Sequence, residues 1–182
     1  MNTGDLAVRG ILKAGVWQRI YSSGEFAASA SSVTISGLDG DTDQFWLLKC
    51  KLYTIANNNF YIQPNSISTV GNYGYQDVTG TDAVIAGFRD TAEAQIRIGN
   101  GGALGDLSQT ETIIYAKSGT IRTFIGDYSD SVRTTSVSAI GLVGQSWLDT
   151  SVNITSLKIA SQSGIGSTST IDLYRRVDAT VI

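Results

Sequence analysis

The most regular pattern in the chain runs from Gln44 to Ile55, where side chains alternate at a period of two. Trp46, Leu48, Cys50, Leu52 and Thr54 fall on one side, and Phe45, Leu47, Lys49, Lys51 and Tyr53 on the other. This alternation predicts a strand with one face on a core and the other partly wetted. The triplet Asn57-Asn58-Asn59 signals a turn, since Asn tolerates positive φ, and Phe60 to Gln63 returns as a second strand before Pro64 and Asn65. The expected unit is a β-hairpin. Shorter candidates run Val16 to Tyr21, Ser32 to Ile35, Tyr73 to Val78, Val84 to Phe88, Ala94 to Ile98 and Thr112 to Lys117. Others run Ile121 to Gly126, Ser136 to Val143, Asn153 to Ala160 and Thr170 to Arg176. Lys117-Ser118-Gly119-Thr120 marks a hairpin, and Asn100-Gly101-Gly102 a further turn. No segment sustains a 3.6-residue period; Arg89 to Ala94 has room for one helical turn at most. Many short strands between frequent turns predict an all-β fold, a two-sheet antiparallel β-sandwich.

Residues 1–15 stand apart as a short N-terminal arm, with residues 16–182 forming the sandwich domain. The arm alternates loosely around Gly4, Gly10 and Gly15 and has no hairpin partner nearby. A lone alternating strand cannot bury its own face. Leu6, Val8, Ile11 and Leu12 are therefore the candidates for oligomerisation or anchoring, against the alternative of an ordinary edge strand. Asp5 interrupts any apolar core a secretory signal would need, so the expectation is synthesis without export.

Composition narrows the chemistry. Charged residues make up 16% of the 182 positions and the formal net charge is −3. Their place is taken by 21 Ser, 19 Thr and 20 Gly, which suit strands and turns better than helices. There is no His, so no Ser-His-Asp triad, Cys-His dyad or His-ligated metal. One Cys forms no internal disulfide or cysteine zinc site. Cys50 lies on the apolar side of its strand and reads as a small buried hydrophobe. No basic cluster exists to replace counterions on a nucleic acid. No apolar run approaches the roughly 18 residues of a membrane span.

Two clusters could carry binding. Asp39, Asp41 and Asp43 alternate as calcium ligands do, but an EF-hand loop would need Gly and Glu where Gln44 and Cys50 stand. The cluster reads as an acidic turn whose carboxylates cap backbone amides, with a non-EF calcium site as the alternative. Tyr73 and Tyr75 share one face of a short strand beside Asn72. Aromatic faces with amide neighbours suit stacking on sugar rings, against the alternative of cross-strand core packing. Glu25, Glu93 and Glu111 are the only Glu, and nothing in their spacing pairs them for hydrolysis. No enzyme and no cofactor is expected.

The segment Thr3-Gly-Asp-Leu-Ala-Val-Arg-Gly-Ile-Leu-Lys-Ala-Gly15 resembles short segments in fibre and spike proteins of tailed bacteriophages. Val33 to Asp43, Tyr115 to Gly119, Ile154 to Ile159 and Gly164 to Arg175 resemble a jelly-roll module of phage virion proteins. The resemblance implies a jelly-roll sandwich displayed on the virion, used in head decoration, head fibres or tail-fibre and receptor-binding parts. It implies assembly with copies of itself, as a homotrimer, and with other virion proteins. A host-surface glycan is the further partner it allows. It supplies no catalytic residue.

Overall fold

The structure is a computed structural model and describes residues 16–57, 59–81, 84–100, 103–132 and 136–177. The arm, with Leu6, Val8, Ile11 and Leu12, lies outside the described residues. The chain runs β1 (Val16–Ser22), β2 (Ala30–Ser36), α1 (Gly40–Asp43), β3 (Phe45–Tyr53), β4 (Asn59–Pro64), β5 (Tyr73–Thr81) and β6 (Val84–Glu93). It continues β7 (Ile96–Asn100), β8 (Leu107–Tyr115), β9 (Arg122–Val132), β10 (Ser136–Trp147), β11 (Ser156–Ile165) and β12 (Thr170–Val177).

These strands form two antiparallel sheets. The larger has the order β1-β12-β3-β8-β9-β10-β5-β6, and the smaller β2-β11-β4-β7. The pairing is nested: β1 with β12, β2 with β11, β3 with β8 and β4 with β7. That is an antiparallel ribbon rolled over a common core, the jelly-roll arrangement. Two further hairpins, β5–β6 and β9–β10, are inserted into the roll and join through β10 and β5. They widen the larger sheet on one side only, where β7 of the smaller sheet reaches them through Arg97, which bonds to Gln145 of β10 and Tyr75 of β5.

The core lies between the sheets where the period-two pattern places it. Trp46, Leu48 and Leu52 of β3, Phe60 and Ile62 of β4, Ile96 and Ile98 of β7, and Leu157 and Ile159 of β11 are buried. Burying each such side chain contributes roughly 1.5–3 kcal/mol. Arg122 is buried at the rim of this core. Its guanidinium lies 5.0 Å from the Trp147 ring centroid and donates to the Val152 carbonyl.

Two expectations are corrected. β3 and β4 form no hairpin with each other, because they belong to opposite sheets. The connection crosses the sandwich edge at Thr54, whose N–H donates to Asp106 O and whose carbonyl accepts from Gly105. A turn between two alternating segments looks alike in sequence whether the chain returns in its own sheet or crosses to the other. Arg89 to Glu93 is not a helical turn but the end of β6: Arg89, Asp90 and Glu93 pair with Gln76, Tyr75 and Tyr73. The Lys117–Thr120 turn does join a hairpin, with Tyr115 opposite Thr123.

Candidate functional site

The outer face of the larger sheet is built by every second residue of its strands. In one row across it the cross-strand partners are Asp172, Lys49, Glu111, Asp127, Leu142, Val78 and Gly87. The next row reads Thr170, Lys51, Gln109, Ser129, Ile140, Gly80 and Ile85. The face is concave along these rows and holds a groove of about 860 Å³. Its two ends differ in chemistry. Over β12, β3, β8 and β9 it is lined by charged and hydrogen-bonding groups, with Lys49 Nζ donating to Glu111 Oε1 at 2.7 Å. That bond holds the Lys49 ammonium above its ordinary range. Over β10, β5 and β6 the lining is aliphatic: Ile140, Leu142, Val78 and Ile85.

These aliphatic side chains are open to solvent. Leu142 is 66% exposed, Ile140 60% and Ile85 80%. Ile113 and Ile125, opposite one another on β8 and β9, extend the band along the same face. On the other face of β6, Val84 and Phe88 are also exposed, Phe88 at 64%. β6 therefore carries large apolar groups on both faces and has core on neither.

Under the inserted hairpins lies a polar cluster. The Tyr75 hydroxyl donates to Asp77 Oδ2, and Thr79 Oγ1 donates to the same oxygen at 3.1 Å. Arg97 Nη1 donates to the Tyr75 hydroxyl at 3.2 Å, and Asn100 Nδ2 to the Tyr128 hydroxyl at 3.3 Å. Asp130 is buried beside them. Burial raises its carboxyl to about 6, with Ser108, Asn100 and Arg97 facing it and easing the charge in part. Neither carboxylate oxygen receives a hydrogen bond of normal geometry. Asp77 and Asp130 sit on β5 and β9, on either side of β10, and neither lines the groove.

The residues singled out in the sequence fall elsewhere. Tyr73 is buried in the core and its hydroxyl donates to Ile67 O at 2.6 Å. Tyr75 is buried with Tyr128 and Val143. Both face inward because they occupy the same side of β5, opposite Trp147 and Gln145 of β10. Burial pushes both phenols well above their ordinary value. Neither presents a ring face for a sugar; Asn72 precedes them, its main-chain carbonyl accepting from the Leu148 N–H.

The three Asp carboxylates face different partners. Asp39 caps α1, accepting from Thr42 Oγ1 at 2.8 Å, from Asn153 Nδ2 at 2.9 Å and from Thr42 N at 3.2 Å. Asp41 accepts from Ser118 N at 2.6 Å. Asp43 accepts from Trp46 Nε1 at 2.9 Å and pairs with Arg175 at 3.5 Å. These hydrogen bonds hold the Asp39 and Asp41 carboxyls below the ordinary range. Among the described residues no three acidic, His or Cys side chains are grouped to hold a metal. Cys50 is buried, and burial pushes its thiol far up.

Sequence reasoning missed the aliphatic band and the Asp130 cluster. The available signal was that Val84–Phe88 and Ala139–Val143 are apolar at nearly every position, so both faces of those strands are apolar. No protein-family profile and no curated protein matches the chain. Among solved structures it is similar to an exo-inulinase from Aspergillus awamori, at 11% identity and a TM-score of 0.39. The likeness covers 91% of this chain and 31% of the exo-inulinase chain, so the protein spans about a third of that chain's length. A likeness this loose assigns neither a family nor a chemistry.

Proposed function

We propose that this chain is a non-catalytic building block, a surface-displayed β-sandwich that assembles with copies of itself in the manner of bacteriophage virion proteins. The observation that carries the reading is the aliphatic band of Ile113, Ile125, Leu142, Val78, Ile140 and Ile85 on one face of one sheet. A contiguous exposed band of this kind marks an interaction surface. The occupant is a second copy of the chain. The band sits on and beside hairpins inserted outside the nested roll, whose inward side chains Tyr73, Phe124 and Trp147 join the core while their outward aliphatic ones are left exposed. Charged residues rim it, as at protein interfaces. The virion assignment is supported by the sequence resemblance, with which the rolled topology is compatible.

Light scattering on the full chain across a wide concentration range tests assembly. The expected result is a concentration-dependent oligomer that the double substitution Ile140→Lys and Leu142→Lys dissociates. A monomer at every concentration overturns the reading. The neighbouring reading frames test the virion part: head or tail structural genes support it, and a metabolic operon overturns it.

The groove favours a second reading. Its polar end, with Lys49, Lys51, Gln109, Glu111, Asp127 and Ser129, offers the donors and acceptors that a host-surface glycan would need. A glycan array probed with the full chain reads this, and absence of binding to host polysaccharide removes it.

A further inference from the structure

The larger sheet ends in β1 on one side and β6 on the other, and the smaller in β2 and β7. Exposed edges invite pairing, and monomers guard them with short strands, bulges or charges. Three of the four edges follow that rule. β7 has five residues, β2 has a break in its register with β11 between Ser32 and Ala30, and β1 has Arg19 and a bulge between Arg19 and Tyr21. β6 differs. Its bulge, between Asp90 and Glu93, and its charges Arg89, Asp90 and Glu93 are confined to the C-terminal half of its ten residues, leaving Val84 to Phe88 uncharged and in unbroken register with β5. Among the described residues no strand pairs with its outer edge.

We propose that two copies of the chain join edge to edge through β6, antiparallel about Gly87, so that one sheet runs through both. This rests on the self-assembly reading and adds to the facial contact a second one, at the sheet edge. A row of backbone donors and acceptors at strand spacing is satisfied by another strand, and three features select this one. Antiparallel pairing separates like charges, because Arg89, Asp90 and Glu93 all lie in the C-terminal half of β6. Parallel pairing would set Arg89 on Arg89. In the register centred on Gly87, large meets small: Phe88 faces Ala86 of the partner subunit, and Ala86 faces Phe88 of the partner subunit. Ile85 faces Arg89 of the partner subunit, whose aliphatic stem covers it. The pair is isologous and closed, so it links copies two at a time. The threefold contact implied by the resemblance has to use another surface.

Cysteine cross-linking on the full chain tests the register. Directly opposed residues have Cα atoms about 4.5–5.5 Å apart, inside the roughly 4.4–6.8 Å span of a disulfide. Gly87 accommodates a side chain, its nearest neighbour being Asp77 O at 3.8 Å from an added Cβ. The native Cys50 is buried and does not compete. Under mild oxidation Gly87→Cys should give a linked pair of twice the chain mass. Ile85→Cys alone should give none, and Ile85→Cys mixed with Arg89→Cys should. Hydrogen exchange on the unaltered chain gives a second readout, with β6 amides slowing as concentration rises. Suppose the unaltered chain associates while Gly87→Cys does not link and β6 amides gain no protection. The edge contact is then wrong and self-assembly stands. Ile85→Cys linking as readily as Gly87→Cys overturns the register. No association at any concentration overturns both. Should Gly87→Cys fail to fold, the exchange measurement alone decides.

Discussion

Asp130 couples the inserted hairpins to pH. Its carboxyl is held at about 6 in the fold, against 3.8 as the ordinary value, because burial disfavours the charge. The folded state therefore keeps a proton that the unfolded chain releases between those values. Stability from this group is full below about pH 4, falls as pH rises through 6, and leaves a cost of about 2–3 kcal/mol at neutral pH. Asp130→Asn should raise the melting temperature by several degrees near pH 7.5 and leave it nearly unchanged near pH 4. Equal shifts at both pH values would show that burial of charge is not the cause. The neighbouring glycines give a sharper steric contrast. A Cβ on Gly141 would collide with the Tyr128 ring, whereas one on Gly144 of the same strand meets nothing within 4 Å. Gly141→Ala should cost about 1–3 kcal/mol in urea unfolding, displacing the Tyr128 hydroxyl from Thr79, and Gly144→Ala less than about 0.5 kcal/mol. Gly141 and Gly144 look alike in the sequence; what separates them is a tyrosine arriving from another strand.

Alternation within a strand can be read from sequence, whereas its partners and its sheet cannot. β3 shows how far the pattern reaches. Trp46, Leu48, Cys50 and Leu52 are buried as their spacing predicts, while Lys49 and Lys51 lie on the groove side. Trp46→Ala, Leu48→Ala and Leu52→Ala should each cost about 2–5 kcal/mol in denaturant titration. Lys49→Ala should cost under about 1 kcal/mol, since its ion pair with Glu111 is exposed. A flat profile along β3 would mean that the strand does not divide core from surface. β8 resisted the same reading at its start, because Ser108, Thr110 and Thr112 are polar yet face inward. β10 resisted it for the opposite reason. With Ala139 to Val143 apolar throughout, no period marks which of Ile140 and Gly141 faces water. The strand at the candidate surface was thus the one whose composition concealed its faces.

At the scale of the molecule the roll closes over long separations: β1 near one end of the described chain pairs with β12 near the other, and β2 with β11. No local turn signal specifies such pairs, so two sheets were legible and their order was not. The same topology separates two accounts of assembly. The arm enters at β1, one edge of the larger sheet, and the aliphatic band and β6 lie toward the opposite edge. If Leu6, Val8, Ile11 and Leu12 hold copies together, a chain beginning at Val16 falls to monomer mass. If the inserted hairpins do, that shortened chain keeps the oligomeric mass of the full chain, and Ile140→Lys with Leu142→Lys dissociates both. The second outcome is expected, because six outward aliphatic side chains on an already formed sheet need no ordering before they meet a partner. Light scattering on the two chains at matched concentrations decides between them, and a shortened chain that is monomeric where the full chain is not would return assembly to the arm.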